Sequence, residues 1–381
     1  MKKTNEKVLN EKKIAFIICT NDEQELEECD YYLRHLKIPE GYTSEVLAVT
    51  QAYSMAGGYN EGMDASDAKY KIYLHQDVFI INENFLEDMM QIFQSDEEIG
   101  MLGLIGRKTL SGDYHQIMRW DVGKILHNCT PREQNEWQDS SRRSVEVESV
   151  DGLLIATQYD VRWRDDLFTG WHFYDLSECC EFRKRGWKVV VPWQKTAWCY
   201  HDNQSADRSG FEKFRKIFVE EYWKVTIDEN SKKEENGGIK EFNGIQNRVV
   251  QLLDHMLLEG KIDCLNQVFQ NLDNQGYLSL IEYELISRIY NEELENSEEK
   301  YLFSPGDKKD EVFQRLRNIK FLIKRVEFGI GETDRIVEEL TDSFSRAAIY
   351  AVIDSYCNPK EKERIKRMFN SKQDQEIKYN Q

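Results

Sequence analysis

The sequence predicts an α/β fold in which a mostly parallel sheet is covered by helices and is followed by an all-α C-terminal region. The first observation is a set of short, apolar, β-branched runs at 13–20, 44–50 and 71–74, each of them the length of a buried strand. The second is that segments with helical spacing, at 23–36 and 54–66, separate these runs. Such alternation is typical of parallel sheets that are covered on both faces.

The same alternation continues through the N-terminal half of the chain. The further elements that we expect are a helix at 84–94, a strand at 100–106, a polar loop at 110–144, strand character at 145–157, a helix at 175–185 and short strands at 188–191 and 196–200.

Composition divides the chain into two domains. The segment 227–240 is charged and contains glycine, as is typical of a linker, so we expect one domain at 1–226 and a helical domain at 241–381. The tail after Pro359 is charged and is expected to fray. Helical spacing predicts about five helices in the second domain, at 247–258, 265–272, 278–294, 310–326 and 332–356. All eight tryptophans lie between 120 and 223, which places the chemistry in the first domain.

Charge and composition exclude several classes of protein. The formal net charge of −18 argues against binding to nucleic acid or to an anionic membrane surface, because both would repel the chain. No apolar stretch approaches the roughly 20 residues of a transmembrane helix, and the segment 1–7 is polar, so we expect a cytoplasmic protein without a transmembrane segment. Peripheral attachment to a membrane stays open. The eight cysteines form no Cys-x-x-Cys pair, which favours reduced thiols over a zinc site or disulfides.

Polar residues follow three of the predicted strands. These are Thr20-Asn21, Thr50-Gln51 and His75-Gln76-Asp77. In open α/β sheets, ligands bind at the carboxyl ends of the strands. A carboxylate such as Asp77 can hold a divalent cation that bridges two phosphates, although an aspartate at a strand end can equally form a turn.

The order of the motifs resembles the family 2 glycosyltransferases, which have the GT-A fold, a Rossmann-like and mostly parallel sheet flanked by helices. The segment SMAGGYNEGMDASDAKYKIY at 54–73 runs into LHQDV, and the chain looks closest to the glycosyltransferase-like branch that carries His-Gln-Asp-Val in place of Asp-x-Asp. VDGLLIA at 150–156, FTGWHFYD at 168–175 and RKRGWKVVV at 183–191 follow the C-terminal half of the family in order. The resemblance covers about residues 13–205.

The resemblance implies a metal-assisted inverting transferase. Asp77 would bind Mn²⁺ or Mg²⁺, with His201 as a further metal ligand, and Asp175 would be the general base. The residues expected to line the nucleotide-sugar pocket are Thr20, Asn21, Gln51, Asn60, His75, Gln76 and Asp151. The residues expected to contact the acceptor are Trp171, His172 and Tyr174.

Structural roles stay open for several of these residues. Asp175 could be an N-cap, Asp151 could be a turn residue, and the aromatic side chains could belong to the core. His201 could be a hydrogen-bonded structural residue, with Asp202 as its competitor for the metal.

The function that the resemblance implies is transfer of a sugar from a UDP-sugar to a saccharide or lipid-linked acceptor, as in surface polysaccharide biosynthesis. The helical domain could bind the acceptor, form a homo-oligomer or dock a partner. One alternative is a non-catalytic protein that binds nucleotide sugars or glycans on the same scaffold. A second is a nucleotidyltransferase, which would want a basic, glycine-rich first loop, whereas 20–28 is acidic. The chain has no Walker A loop, no Gly-x-Gly-x-x-Gly after its first strand and no Gly-x-Ser-x-Gly elbow.

Overall fold

The computed structural model describes residues 8–110, 120–127, 130–135, 143–202, 210–223, 309–344 and 346–379. The chain divides into two units, which are Met1–Asp202 with Arg208–Val225, and Asn203–Asp207 with Thr226–Gln381. The predicted domain boundaries, including the linker at 227–240, remain predictions.

The described elements of the first unit alternate between strands and helices. The strands are β1 (Asn10–Cys19), β2 (Thr43–Val49), β3 (Ala68–His75), β4 (Val78–Ile80), β5 (Ile99–Gly103), β6 (Ile105–Arg107), β7 (Val122–His127), β8 (Thr130–Asn135), β9 (Ser144–Val147), β10 (Ser149–Val150), β11 (Leu154–Thr157), β12 (Lys188–Pro192) and β13 (Cys199–His201). The helices are α1 (Glu23–Arg34), α2 (Met55–Ala65), α3 (Phe85–Ser95), α4 (Tyr174–Lys184) and α5 (Phe211–Phe218), the last continued by a π-helical turn at Val219–Trp223.

The larger sheet has seven strands in the order β2-β1-β3-β11-β5-β12-β9. Strands β2, β1, β3, β5 and β12 run in one direction, and β11 and β9 run in the other. Strand β1, which pairs with β2 and β3, is buried on both faces from Ile14 to Ile18, as its continuous apolar run predicts. The predicted α/β fold with a mainly parallel sheet is confirmed.

Side-chain caps fix where two of the helices begin, beside the carboxyl ends of β1 and β2. The Asp22 carboxylate accepts a hydrogen bond from the Glu25 backbone N–H at 3.1 Å and so caps α1. The Ser54 hydroxyl accepts one from the Gly57 backbone N–H at 3.0 Å and caps α2. Each cap satisfies a backbone donor that has no partner inside its helix. Both helices therefore begin immediately after the loops in which the polar strand-end residues lie.

A second sheet has the order β10-β6-β7-β13-β4, with β8 added on β7. Strand β13 runs antiparallel to β4, and its His201 is opposite Val78. It runs parallel to β7, where His201 is opposite His127. The second sheet thereby carries His201 to the turn that joins β3 to β4.

Three sequence predictions for the first unit were too coarse. The single strand expected at 100–106 is two strands, because the chain leaves the larger sheet at Leu104 and enters the second sheet. The strand character at 145–157 belongs to three short strands in two sheets. The loop expected at 110–144 was wrong in part, since β7 and β8 lie within it and pair with each other.

Gly123 shows how closely two of these strands approach. Its φ is +104°, and a Cβ built there would lie 2.1 Å from the Leu104 carbonyl oxygen. We expect Gly123→Ala to lower the free energy of unfolding by about 3 kcal/mol or more, because both the strained backbone and the backbone clash oppose a side chain. Urea unfolding monitored by circular dichroism measures the change.

Gly186 provides the matched control for this substitution. Its φ is +86°, but no heavy atom lies within 4 Å of a Cβ built there. We expect Gly186→Ala to cost only about 1 kcal/mol, from the backbone conformation alone. Equal losses in the two variants would show that the close approach at Gly123 contributes nothing.

The second unit is helical wherever it is described. Its helices are α6 (Lys309–Phe328), α7 (Thr333–Ser343), α8 (Arg346–Tyr356) and α9 (Lys362–Tyr379). The single helix expected at 332–356 is two helices, because the backbone at Phe344 is extended. The tail expected to fray contains α9, whose Ile365 and Phe369 are buried. The helices predicted at 247–258, 265–272 and 278–294 lie outside the described residues. No described helix is both long enough and apolar enough to cross a bilayer.

Candidate active site

The ends of β1 and β3 lie side by side, with Cys19 opposite His75 in a parallel register. The Gln76 side chain joins the two strand ends. Its Oε1 accepts hydrogen bonds from the Thr20 hydroxyl at 2.7 Å and from the Asn21 backbone N–H at 3.0 Å. Its Nε2 donates to the Asn21 side chain at 2.8 Å. The structure therefore brings Thr20, Asn21 and Gln76 together, and the Gln76 amide fixes the loop between β1 and α1.

Three potential metal ligands meet where the two sheets adjoin. One ligand atom from each of His75, Asp77 and His201 can be chosen so that all three lie within 4.8 Å of one another. Asp77 Oδ1 lies 3.5 Å from His201 Nε2. The Asp202 backbone N–H donates to the Asp77 carbonyl at 2.8 Å, which holds the end of β13 against the turn after β3.

Charge within this cluster favours ligand-competent forms of Asp77 and His75. Burial alone would raise the pKa of Asp77, but the charge and hydrogen bond of His201, with the charge of His75, lower it to about 2. Burial lowers the pKa of His75, although Asp77 opposes this effect. Burial also disfavours charge on His201, yet Asp77 outweighs it and raises the His201 pKa. At neutral pH, Asp77 is therefore ionised and His75 is neutral, the forms in which carboxylate and imidazole bind metals.

The chemistry of this donor set fits a divalent cation. One hard carboxylate oxygen and two imidazole nitrogens are ligand types that first-row divalent metals accept. The Asp77 side chain is half-buried, and the hydrogen bond from the Asp202 N–H to the Asp77 carbonyl holds its backbone. His75 joins the candidate ligands here, although the sequence resemblance implied a contact with the nucleotide.

Sequence reasoning missed His127. This side chain is buried at the end of β7, opposite His201 in the parallel register, and the two ring centroids lie 5.3 Å apart. It lay within the stretch that the sequence predicts to be a loop. The alternating segment VGKILH at 122–127 was the available signal of a half-buried strand.

Asp175 lies in the first turn of α4 and directly follows Tyr174, whose hydroxyl contacts the candidate metal ligand His75. Its Oδ2 accepts a hydrogen bond from the Gly152 backbone N–H at 3.1 Å. Burial, assisted by the charge of Asp151, raises the pKa of Asp175 to about 7. A carboxyl whose pKa is close to neutrality is suited to accept a proton at neutral pH. The N-cap of α4 is Phe173, so the alternative that Asp175 is the N-cap is wrong.

Phe173 holds the backbone that leads into α4 in an unusual conformation. Its φ of 62° is left-handed, and it is the non-glycine residue with positive φ in the part of the chain that the structure describes. Its ring packs against Phe211 and Phe218, with centroids at 5.0 Å and 5.6 Å. Such strain persists only where packing over-determines it, and it occurs often at functional sites. Here it sets the direction in which Tyr174 and Asp175 leave the loop.

Tyr174 and the segment 151–153 connect Asp175 to the candidate metal ligands. The Tyr174 ring is buried, and its hydroxyl lies 2.5 Å from His75 Nε2. The His75 backbone N–H donates to the Leu153 carbonyl at 3.0 Å. Asp151 Oδ1 accepts from the Leu153 N–H at 2.9 Å, which makes Asp151 a turn residue next to the base. Tyr174, expected at the acceptor, is thus placed to orient His75.

The remaining candidates have other surroundings. Gln51 is exposed, and Trp171 is 49% exposed. The His172 ring packs against Phe211 with the centroids 5.4 Å apart. Asn60 is buried, and its side chain pairs with the Trp163 backbone, accepting from the N–H at 3.0 Å and donating to the carbonyl at 2.9 Å. The structure does not bring Asn60 to the strand ends, and we propose a structural role for it instead.

We expect Asn60→Ala to lower the free energy of unfolding by about 1–3 kcal/mol, because it leaves the buried Trp163 N–H without its partner, while the Trp163 carbonyl keeps its hydrogen bond from the Asp165 N–H. Its affinity for UDP should equal that of the wild type. Thermal unfolding and isothermal titration calorimetry measure the two quantities. The control is Asn82→Ala, which removes a half-buried hydrogen bond to Asp88 and should cost less. A selective loss of UDP affinity in the Asn60 variant would support the original prediction that Asn60 contacts the nucleotide.

The fold agrees with the one that the resemblance implied, and a family model identifies the class of protein. The model of the Glycosyltransferase like family matches residues 15–222, more than half of the chain. The chain belongs to this family and is a glycosyltransferase, as the resemblance implied. No curated protein sequence matches the chain.

Solved structures that match the chain include three that contain a nucleotide or a sugar nucleotide. TarS 1-349 from S. aureus in complex with UDP is 12% identical, with 95% of this chain and 91% of that chain covered and a TM-score of 0.36. A Drosophila β-1,4-galactosyltransferase 7 mutant in complex with manganese, UDP-Gal and xylobiose is 14% identical, with 59% and 81% covered and a TM-score of 0.34. A Pyrobaculum calidifontis mannosyltransferase in complex with GDP-Man and Mn²⁺ is 10% identical, with 57% and 66% covered and a TM-score of 0.38. Values this low identify no substrate.

Proposed function

We propose that the chain transfers a sugar from a UDP-sugar to an acceptor hydroxyl with inversion at the anomeric carbon, with a divalent cation at His75, Asp77 and His201 and with Asp175 as general base. The observation that carries the proposal is that the segments holding these two groups are joined by a side-chain contact. His75 Nε2 lies 2.5 Å from the Tyr174 hydroxyl, and Asp175 is the next residue. A cation site and a proton acceptor side by side are what single displacement at a sugar diphosphate requires.

The donor would lie across the carboxyl ends of β1 and β3. Asn21 is exposed beside Gln76 and Thr20, so this polar edge can face a nucleotide. When bound, a cation at the His–Asp–His cluster would neutralise the charge that develops on the leaving diphosphate. Two imidazole ligands favour Mn²⁺ over Mg²⁺, because Mg²⁺ prefers oxygen ligands.

Asp175 would act on the acceptor side. Its carboxylate takes the proton of the acceptor hydroxyl while that oxygen attacks the anomeric carbon and the bond from this carbon to the diphosphate oxygen breaks. The pKa of about 7 makes proton transfer favourable without leaving the carboxyl fully protonated. Gly152 donates to the carboxylate and holds it in position. A saccharide or lipid-linked saccharide, as in surface polysaccharide biosynthesis, is the acceptor class that we propose.

The experiment that tests this proposal is a panel of UDP-, GDP- and dTDP-sugars. Binding is measured by calorimetry with Mn²⁺ and with EDTA, and hydrolysis is measured by release of the nucleoside diphosphate. We expect UDP-sugars to bind in the presence of Mn²⁺ and to be slowly hydrolysed. Failure of every sugar nucleotide to bind would overturn the proposal. Binding without turnover on any acceptor would favour the non-catalytic alternative.

A further inference from the structure

Two aromatic rings lie in solvent on the loops that precede α2 and α4. Tyr53 is 65% exposed and Trp171 is 49% exposed, and they are the aromatic members of the exposed large hydrophobic side chains in the described part of the chain. Isolated exposed apolar residues are normal on a protein surface, whereas exposed aromatic rings that are neighbours indicate a binding surface.

A backbone hydrogen bond joins the two segments that carry these rings. The Met55 N–H donates to the Gly170 carbonyl at 3.0 Å. Tyr53 lies two residues before Met55, and Trp171 directly follows Gly170. The loop between β2 and α2 and the loop before α4 are therefore neighbours, and each contributes one exposed ring at their junction.

The Tyr53 ring is held in place although it is exposed. Its hydroxyl donates to Asp165 Oδ2 at 3.0 Å. On its other side, a Cβ built at Gly57 would lie 2.5 Å from the ring, so the ring packs against the bare backbone of the first turn of α2. Exposed tyrosines ordinarily rotate freely, and fixing one costs conformational entropy. This ring is therefore preorganised.

Asp165, which anchors the Tyr53 hydroxyl, is itself supported from the interior. Its backbone N–H donates to the Trp163 carbonyl at 2.8 Å. The backbone of Trp163 is in turn clamped by the buried Asn60 side chain. A chain of hydrogen bonds thus runs from the core of the first unit to an exposed ring, an arrangement suited to presenting that ring to a ligand.

We propose that Tyr53 and Trp171 form the saccharide-binding platform of the acceptor site, with Asp165 fixing the Tyr53 ring. The inference deepens the proposed function and rests on it, because Trp171 leads through the strained Phe173 directly to Asp175. Aromatic faces pack against the C–H faces of sugars, whereas the hydroxyls of the sugar need polar partners. The carboxylate of Asp165, at the edge of the Tyr53 ring, provides hydrogen-bond acceptors for such hydroxyls.

The test measures saccharide binding directly, separately from transfer. The probes are p-nitrophenyl glycosides of glucose, galactose, mannose, N-acetylglucosamine and N-acetylgalactosamine, and the readout is saturation-transfer-difference NMR on the sugar-ring protons. With the full chain, UDP and Mn²⁺, we expect at least one glycoside to bind. Tyr53→Ala and Trp171→Ala should each weaken that binding about fivefold to tenfold, as the loss of one aromatic contact implies.

One further variant separates the Tyr53 ring from its hydrogen bond to Asp165, and another serves as a control. Tyr53→Phe keeps the ring but removes the bond to Asp165, and we expect an intermediate loss of glycoside affinity. Tyr42→Ala removes a half-buried tyrosine whose ring lies under Lys12, and it should bind the glycoside as the wild type does. UDP affinity, measured by calorimetry, should be unchanged in all four variants.

Three outcomes would overturn the platform. They are no glycoside binding by the wild type, unchanged glycoside affinity in both alanine variants, and a loss of UDP affinity in Tyr53→Ala with glycoside affinity intact, which would assign the ring to the donor. Because UDP binding is measured independently, the platform can fail while the proposed transferase function stands. If the wild type did not bind UDP at all, the proposed function itself would be refuted.

Discussion

Asp77→Asn is expected to reduce sugar transfer by at least ~10³-fold and to abolish the Mn²⁺ dependence of UDP binding. The substitution removes the carboxylate from the three-ligand cluster and keeps the size of the side chain. Asp77 is the cluster's anionic member, and its pKa of about 2 keeps it charged throughout the physiological range. An amide in its place cannot neutralise a divalent cation.

Two measurements check this result. Calorimetry of UDP with and without Mn²⁺ reports the metal dependence, and electron paramagnetic resonance of free Mn²⁺ counts the bound ion. The matched control is Asp64→Asn, which removes an exposed carboxylate paired with Arg162 and should keep wild-type activity and metal binding. Full Mn²⁺ binding by the Asp77 variant would refute the assignment of the ligand.

Asp175→Asn is expected to lower the turnover of transfer about 10²–10⁴-fold, the range that general bases contribute. UDP and Mn²⁺ affinities should stay at wild-type values, because Asp175 contacts the Gly152 backbone and is not one of the three candidate metal ligands. Steady-state kinetics with saturating donor, together with calorimetry, distinguish the two effects. Parallel losses of affinity and turnover would assign Asp175 to the donor site.

The pH dependence follows from the pKa of about 7 for Asp175. The base must be unprotonated, so kcat/KM of the wild type should fall about tenfold per pH unit below pH 7 and level off above it. The Asn variant should lose this dependence. A flat profile for the wild type between pH 5 and 8 would contradict the role of Asp175.

The same carboxyl links folding to pH with a definite sign. Its folded pKa is raised above the value of about 3.9 for an unfolded chain, so the folded protein binds the proton more tightly. Its contribution to stability is therefore full below about pH 4 and is lost as the pH rises through 7. The Asn variant should consequently gain more in Tm over the wild type at pH 8 than at pH 5.

The parallel part of the fold could be predicted because its signals are local. Strands such as β1 and β3 are continuous apolar runs, and their carboxyl ends meet wherever they pair in parallel. That rule alone places Thr20 beside His75-Gln76. His201 and Asp175 came from the order of motifs in the resemblance, since nothing local joins them to β3.

The second sheet could not be predicted in the same way. Its strands are short, and β8 (TPREQN) contains no large apolar residue. Its pairing with β7 depends on register between chain segments, which composition does not encode. His127 was missed for this reason.

The hydrogen-bond partners of buried side chains could not be predicted from the sequence either. Asn60 and Trp163 lie 103 residues apart, and no pattern in the sequence shows that the amide of one clamps the backbone of the other. Tyr174 next to Asp175 suggested an acceptor contact, yet its hydroxyl turns inward to His75. A motif identifies which residues matter but not which way each side chain faces.

The two imidazoles in the proposed cation cluster affect which metal ion the enzyme would bind in a cell. Sites with nitrogen ligands bind Zn²⁺ and Cu²⁺ more tightly than Mn²⁺, following the Irving–Williams order. Trace zinc should therefore compete with manganese for His75 and His201, and more strongly than it would at an all-carboxylate site. Activity would then depend on metal homeostasis, because availability rather than affinity would decide which ion the protein carries.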